Sequence, residues 1–439
     1  MKRLFEAAGI LAWRDGRFHY LENAYLTVDG DTISYIGTEK PEGRFDDVKD
    51  MTGKLLIPGL INCHCHAAMV LLRGVGSDLP LDRWLFEEMM PVEDRLTREE
   101  ITAGNELAMM EMLASGVTSF SDMYLEPDTA VAVNEQIGMK MNLCRVVQAF
   151  DPEETYDQSW RAVESFRLFD TWHGAQNGRV RIDFGIHAEY TINEKVVTGY
   201  TSQAAGYRAR GACMQLHLSE TQKEHEEGIG RRGMTPAAWF EKVGAFRLPT
   251  AAAHCVAVSE EDIGILLRNG VSPIHNPTSN MKLGSGFAPV TEMLEKGLNV
   301  ALGTDGAASN NNLNMFEEMH LAAIIHNGHR RDPVIMPPET VLRMATVNGA
   351  KLQGRADTGR LEVGMKADIV AVDLGRAHMY PFFEPMAMLV YSAQASDVCM
   401  TMVDGRILYE DGRYLTLDER KVMADARTAV YRLYEGKRK

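Results

Sequence analysis

His64 and His66 close an apolar run that begins at Leu55, and their i, i+2 spacing is the first chemical feature of the chain. On a strand, side chains alternate faces with period two, so both imidazoles point one way while Cys63 and Cys65 point the other. Two neutral imidazoles on one face make half of a metal site. Further along, other short apolar runs end in His217, His254 and Asp305, and Glu220 follows His217 by three residues. A divalent ion held by a few imidazoles or carboxylates, with one position open, lowers the pKa of water from about 16 toward 7 and makes hydroxide available at neutral pH. His64, His66, His217 and Asp305 supply such a set. Asp305 can accept the water proton, His254 can orient the nucleophile or hold Asp305, and Glu220 can shuttle a proton to a substrate. The plain alternative for Glu220 is a solvated loop acid. A thiolate site on Cys63 and Cys65 competes with the imidazole set, but strand alternation opposes it.

These residues need a scaffold that gathers strand ends. After the His64 strand come apolar runs at 117–123, 141–145, 180–187, 213–217, 250–254, 271–276 and 299–305, eight in all. Helix start and stop residues separate them. Thr97 with Glu100 and Ser259 with Asp262 are capping pairs, Thr235-Pro236 opens a helix, and Gly116 ends one. Strands alternating with helices predict an α/β fold, a (β/α)₈ TIM-like barrel, in which chemistry collects at the carboxyl ends of the strands. Those ends carry His64 and His66, Asp122, Arg145, His187, His217, His254, His275 and Asp305. A second metal in such a barrel would call for a bridging ligand ending strand four, commonly a modified lysine. His187 stands there, so one metal per subunit is expected.

Residues 25–36 alternate around Asp29-Gly30, residues 401–409 repeat that pattern around Asp404-Gly405, and 367–372 reads as another strand. An isolated hairpin is marginal, so both chain ends are expected to build one small β-sandwich domain. The division predicted is 1–56 for its first part, 57–360 for the barrel, and 361–439 for its second part with a C-terminal helix.

The 439 residues are 45% hydrophobic and 24% charged, which predicts a globular protein with a substantial core. A net charge of −15 and a pI near 5.4 argue against nucleic acid or an anionic membrane as partner. Six scattered cysteines suit a reducing cytoplasm better than a disulfide framework, and no apolar run approaches a membrane span. The first residues do not read as a signal peptide.

The segments Pro58-Gly59-Leu60-Ile61-Asn62-Cys63-His64-Cys65-His66, Leu216-His217-Leu218-Ser219-Glu220-Thr221, Ala253-His254-Cys255, His275-Asn276-Pro277-Thr278-Ser279-Asn280 and Leu302-Gly303-Thr304-Asp305-Gly306 together resemble the amidohydrolase superfamily. They look most like its 5′-methylthioadenosine/S-adenosylhomocysteine deaminase branch, over nearly the whole chain. The resemblance implies a homo-oligomer with one divalent metal on His64, His66, His217 and Asp305, most commonly zinc, with iron or manganese as alternatives. It also implies that Glu220 protonates the purine beside the carbon under attack, that Glu93 grips the ribose hydroxyls, and that His187 contacts the base. Arg145 and Arg161 match arginines that meet the carboxylate of a homocysteine tail. A carboxylate suits a cis-diol and a planar guanidinium suits a carboxylate. Two departures stand out: cysteines at 63 and 65 where the family often has threonine, and Ala188-Glu189 where it usually has Ser-Pro, which sets an acid beside the base-binding position. The rival readings are an s-triazine hydrolase or another base deaminase in the same superfamily, and a non-catalytic binding protein on the same fold.

Overall fold

The strand runs and turn residues read from the sequence form two sheets in a computed structural model that describes residues 1–434. Eight parallel strands follow one another around a barrel in chain order: Leu60–Cys65, Val117–Tyr124, Lys140–Val147, Val180–Ile186, Met214–Leu218, Thr250–His254, Ser272–His275 and Ala301–Leu302. They are buried almost throughout, because helices cover the outer face and packed side chains fill the inner one. The expected barrel is therefore the observed one.

Local chemistry sets the helix boundaries. Glu100 accepts from Thr97 N at 3.0 Å at the start of the helix Arg98–Ala114, and Asp262 accepts from Ser259 N at 2.9 Å before the helix Glu260–Asn269. Thr235 accepts from Ala238 N at 3.2 Å ahead of the helix Pro236–Lys242. Gly116, at φ +81°, turns the chain into the second barrel strand.

The eighth strand is only two residues long, so side chains help to close the barrel. Asn62 Nδ2 donates to Thr304 Oγ1 at 2.8 Å, Thr304 N returns a bond to Asn62 Oδ1 at 3.0 Å, and Asp305 N donates to His64 O at 2.9 Å. Gly303 permits this approach: a Cβ there would lie 2.7 Å from His64 N. Strands one and eight are thereby locked together at the level of His64 and Asp305.

The second sheet draws on both chain ends. Its order is Arg413–Tyr414, Arg406–Glu410, Val398–Val403, Ile369–Asp373, Lys54–Pro58, Lys2–Arg14, Arg17–Asp29 and Thr32–Gly37, with Asp47–Asp50 added to Lys2–Arg14. Both expected hairpins are present, with Val28 opposite Ile33 and Val403 opposite Arg406. The nine strands are hydrogen bonded as one continuous sheet rather than two stacked ones. It curls on itself, so Phe5, Ile10 and Ile33 share one apolar core with Ile369, Met400 and Met402. Lys54–Pro58 runs straight into the first barrel strand and so anchors the histidine pair. Buried Lys140, at the base of the third barrel strand, pairs with Asp368 and, at 2.7 Å, with Asp404.

The helix Glu419–Tyr434 leaves this sheet and packs on the barrel. Its Ala426, Ala429 and Leu433 are buried beside Ala68, Leu72 and Ile101, under the turn that follows His66. Among the described residues no helix is long and apolar enough to cross a membrane.

Candidate active site

Strands one, five, six and eight bring His64, His66, His217, His254 and Asp305 to one point at the carboxyl end of the barrel. The ring centroids of His64 lie 4.9 Å from His66, 4.9 Å from His217 and 5.7 Å from His254. His66 Nδ1 donates to Met123 O at 2.6 Å and His217 Nδ1 to His187 O at 2.7 Å. These bonds orient the rings so that Nε2 of each faces the cluster. His64 Nε2 is buried with no hydrogen-bond partner, 3.4 Å from Asp305 Oδ1.

Asp305 is oriented from behind. Its Oδ2 accepts from Ser279 Oγ at 2.6 Å and from Ser309 Oγ at 2.8 Å, while Oδ1 accepts from Gly306 N at 2.7 Å and lies 3.2 Å from His66 Nε2. Burial would raise this carboxyl, but the imidazoles of His64 and His66 beside it hold it well below the usual carboxylate range. Burial pushes His64 down to about 4, and burial with the neighbouring rings drives His217 well below the usual imidazole value. Burial opposes charging of His66 too, yet Asp305 raises it to about 9.

The donor set fits a divalent cation. An orphaned imidazole nitrogen, two further rings with Nε2 turned inward and a carboxylate meet at one spot. The donor atoms of His64, His66 and His217, and likewise those of His64, His254 and Asp305, lie within 4.8 Å of one another. The thiolate alternative fails here. Cys63 and Cys65 are buried on the opposite face, Cys65 Sγ donates to Ser121 O at 3.3 Å, and burial raises both thiols.

Glu220 stands over this cluster, with Oε2 3.7 Å from His254 Nε2. Burial, then the charge of Asp305, pushes it up to about 8, so it holds a proton at neutral pH. It is not a solvated loop acid. Its main chain is held by Glu224, whose carboxylate accepts from Ser219 N at 3.1 Å and Glu220 N at 2.7 Å. His254 Nδ1 faces Asn280 Oδ1 at 2.9 Å, which directs its Nε2 toward Glu220. Ser219, His254, Cys255 and Asp305 have φ of +45°, +70°, +50° and +65°, a conformation that costs about 1–3 kcal/mol per residue and gathers where a site must be held in shape.

The cavity above extends to Glu93, Tyr124, Arg161, His187 and Tyr190, with an apolar wall of Trp84, Leu85 and Met90. Glu93 adjoins Tyr124, and burial raises its carboxyl. Burial pushes His187 down to about 3, so it is a neutral ring.

Arg145 is the one predicted contact that the structure does not bring into the lining. Val146 and Gln148 face the cavity, and strand alternation turns Arg145 outward, where its Nε lies 3.1 Å from Glu164 Oε2 and its guanidinium 4.8 Å from the Trp160 ring. Arg161 stacks on the same indole at 4.7 Å and does line the cavity. His275, another strand-end residue, also stays outside: its Nε2 meets His326 Nε2 at 3.0 Å. Asp122 supports the site from below by accepting from Ala67 N at 2.7 Å, just after His66. The acid at 189 also faces away from the cavity, held by Arg231 and Arg232.

Sequence reasoning missed Glu224, Ser279, Ser309 and Tyr190. Thr221-x-x-Glu224 is a capping-box pattern that could have marked the first of these, although its carboxylate serves the loop ahead of the cap. Ser279 lies in the 275–280 segment that carries the resemblance, but nothing there ties it or Ser309 to Asp305, which only the fold brings near.

The match to a model of the amidohydrolase family spans residues 55–408. A 5-methylthioadenosine/S-adenosylhomocysteine deaminase of Thermoanaerobacter pseudethanolicus is 43% identical over 405 residues, covering 92% of this chain and 93% of the relative. A 5′-deoxyadenosine deaminase of Methanosarcina barkeri is 43% identical over 414 residues, covering 94% of each. Among solved structures, an adenosine deaminase from Xanthomonas campestris with bound zinc superimposes with a TM-score of 0.91 at 30% identity, covering 99% of this chain and 98% of that one.

Proposed function

The chain belongs to the amidohydrolase family, and from that premise we propose that it is a metal-dependent hydrolytic deaminase of adenine nucleosides, which yields the hypoxanthine nucleoside and ammonia. The observation that carries this reading is a buried Glu220, 3.7 Å from His254, poised over the imidazoles and carboxylate gathered from four barrel strands. His64, His66, His217 and Asp305 would hold one divalent ion. Zinc is proposed because the set is rich in imidazole and a structural neighbour carries it. When bound, such an ion is a Lewis acid that lowers the pKa of water from about 16 toward 7.

The chain's own residues then divide the proton traffic. Hydration of the amidine carbon requires one proton to leave water and one to reach the adjacent ring nitrogen. Asp305, whose carboxylate is oriented by Ser279, Ser309 and Gly306, takes the first. Glu220 delivers the second, and His254 steadies the attacking oxygen. A further transfer to the exocyclic nitrogen lets it leave as ammonia. His187 faces the base, Glu93 takes the ribose hydroxyls, and the wall of Trp84, Leu85 and Met90 suits a thioether substituent at the 5′ position. An acidic tail would meet Arg161, the guanidinium that lines the cavity among the described residues, while Arg145 stays with Glu164. The free state of all six cysteines supports a reducing, cytoplasmic setting.

Ammonia release from S-adenosylhomocysteine, 5′-methylthioadenosine, 5′-deoxyadenosine, adenosine, guanine and cytosine, and chloride release from a chlorotriazine, test this reading. Turnover is expected with the adenine nucleosides and not with the last three, and turnover of the chlorotriazine alone would overturn it. Ser279→Ala is expected to weaken metal retention by roughly 10- to 100-fold, as loss of a bond to a ligating carboxylate generally does. Competition with a chromogenic chelator measures this, and unchanged retention would remove Ser279 from its role.

A further inference from the structure

Glu189 takes no part in the chemistry above, yet its carboxylate is completely buried between two guanidiniums. One oxygen accepts from Arg231 Nη2 at 2.7 Å and the other from Arg232 Nε at 2.6 Å. Arg232 Nη2 also donates to the main-chain oxygens of Glu189 at 3.2 Å and Ile192 at 3.0 Å, and its guanidinium lies 4.3 Å from the Trp239 ring. Both arginines end the helix Gln222–Arg232. Gly228 of that helix leaves room for the acid, because a Cβ there would come within 3.3 Å of Glu189 Oε2 and 3.0 Å of Pro236.

This helix serves the site from both ends. At its start, Glu224 grips the main chain of Glu220. At its end, the arginines grip Glu189, whose neighbours His187 and Tyr190 form the facing side of the cavity. We propose that Glu189 is a positioning residue. Through Arg231 and Arg232 it sets the gap between the His187 and Tyr190 side and Glu220, the gap that admits the base. This inference rests on the nucleoside reading above and assigns the acid after His187 to holding the wall of the base slot rather than touching the base.

Glu189→Gln removes the charge from between the two arginines, and because a broken buried pair can prevent folding, Arg231→Gln serves as the milder variant at a partly exposed partner. In protein that stays folded and keeps its full metal content, both variants are expected to raise KM for the best adenine nucleoside by about 10-fold or more, with kcat changed by less than about 3-fold, as a misplaced binding wall does. Arg231→Lys, which keeps the charge, is expected to recover most of the KM. Gly228→Ala, which crowds the carboxylate, is expected to shift KM in the same direction as Glu189→Gln. A KM that stays at the wild-type value while only the melting temperature falls would overturn the proposal and leave Glu189 a structural pair. If wild-type protein deaminated no adenine nucleoside, the functional reading would fail instead, so the two failures are distinguishable.

Discussion

Glu220→Gln is expected to lower kcat by roughly 10²- to 10⁴-fold, the usual contribution of a positioned acid or base, while the protein folds and binds metal normally. Glutamine preserves shape and keeps a polar head near His254 but has no proton to give to a ring nitrogen. Burial and the charge of Asp305 push the native carboxyl up to about 8, so the protonated form prevails below that pH and is lost above it. Wild-type kcat/KM should therefore be level through neutrality and fall as pH rises through about 8. In the variant the residual rate should lack that alkaline limb. Metal analysis, far-ultraviolet circular dichroism and a pH series on both proteins read all three outcomes. A variant that retained most of its turnover would show that the proton reaches the substrate from another group.

Removing the metal is expected to abolish turnover and restoring it to bring turnover back. A Lewis acid at this point contributes several kcal/mol of transition-state stabilisation, so dialysis against a chelator should reduce the rate by roughly 10³-fold or more. Titration of the stripped protein with zinc should restore activity with an end point of one ion per chain. Parallel titrations with iron(II) and manganese(II) then rank the metals. Asp305→Asn keeps a possible ligand oxygen but not the acceptor of the water proton, so its activity should stay low even when metal is present in excess. Full activity in chelated, metal-free protein would dismiss the centre altogether.

The scaffold was largely legible because its strands are short apolar runs that stop at polar, chemically capable residues, and because three of the intervening helices announce their starts at Thr97, Thr235 and Ser259. Even the eighth strand, two residues long, could be placed, since Gly303-Thr304-Asp305 marks where it stops. The strand Lys2–Arg14 escaped notice because its alternation is broken: register shifts between Phe5 and Ala8 and between Ala8 and Ile10, with Ala7 at φ +58°, scramble its period of two. The clustered His64, His66, His217, His254 and Asp305 could be listed because each stands at or just beyond the end of an apolar run. Arg145 ends one too, but a single step of strand alternation moves it from the cavity to the Glu164 side, and no linear pattern fixes which face an isolated arginine takes. Glu224 and the two serines were illegible for a different reason. They act on the site through main-chain amides and a carboxylate that only the folded chain brings near.

The intertwining of both ends in one sheet has a bearing on biosynthesis. Leu56, just ahead of the histidine pair, finds its partner Ala371 only after every barrel strand has been made. Until then the edge at Lys54–Pro58 toward the late strands is bare, an open template for pairing with foreign chains. A ribosome that stalled before the later strands would hold a barrel whose lead-in strand Lys54–Pro58 is paired on one side only, against Lys2–Arg14.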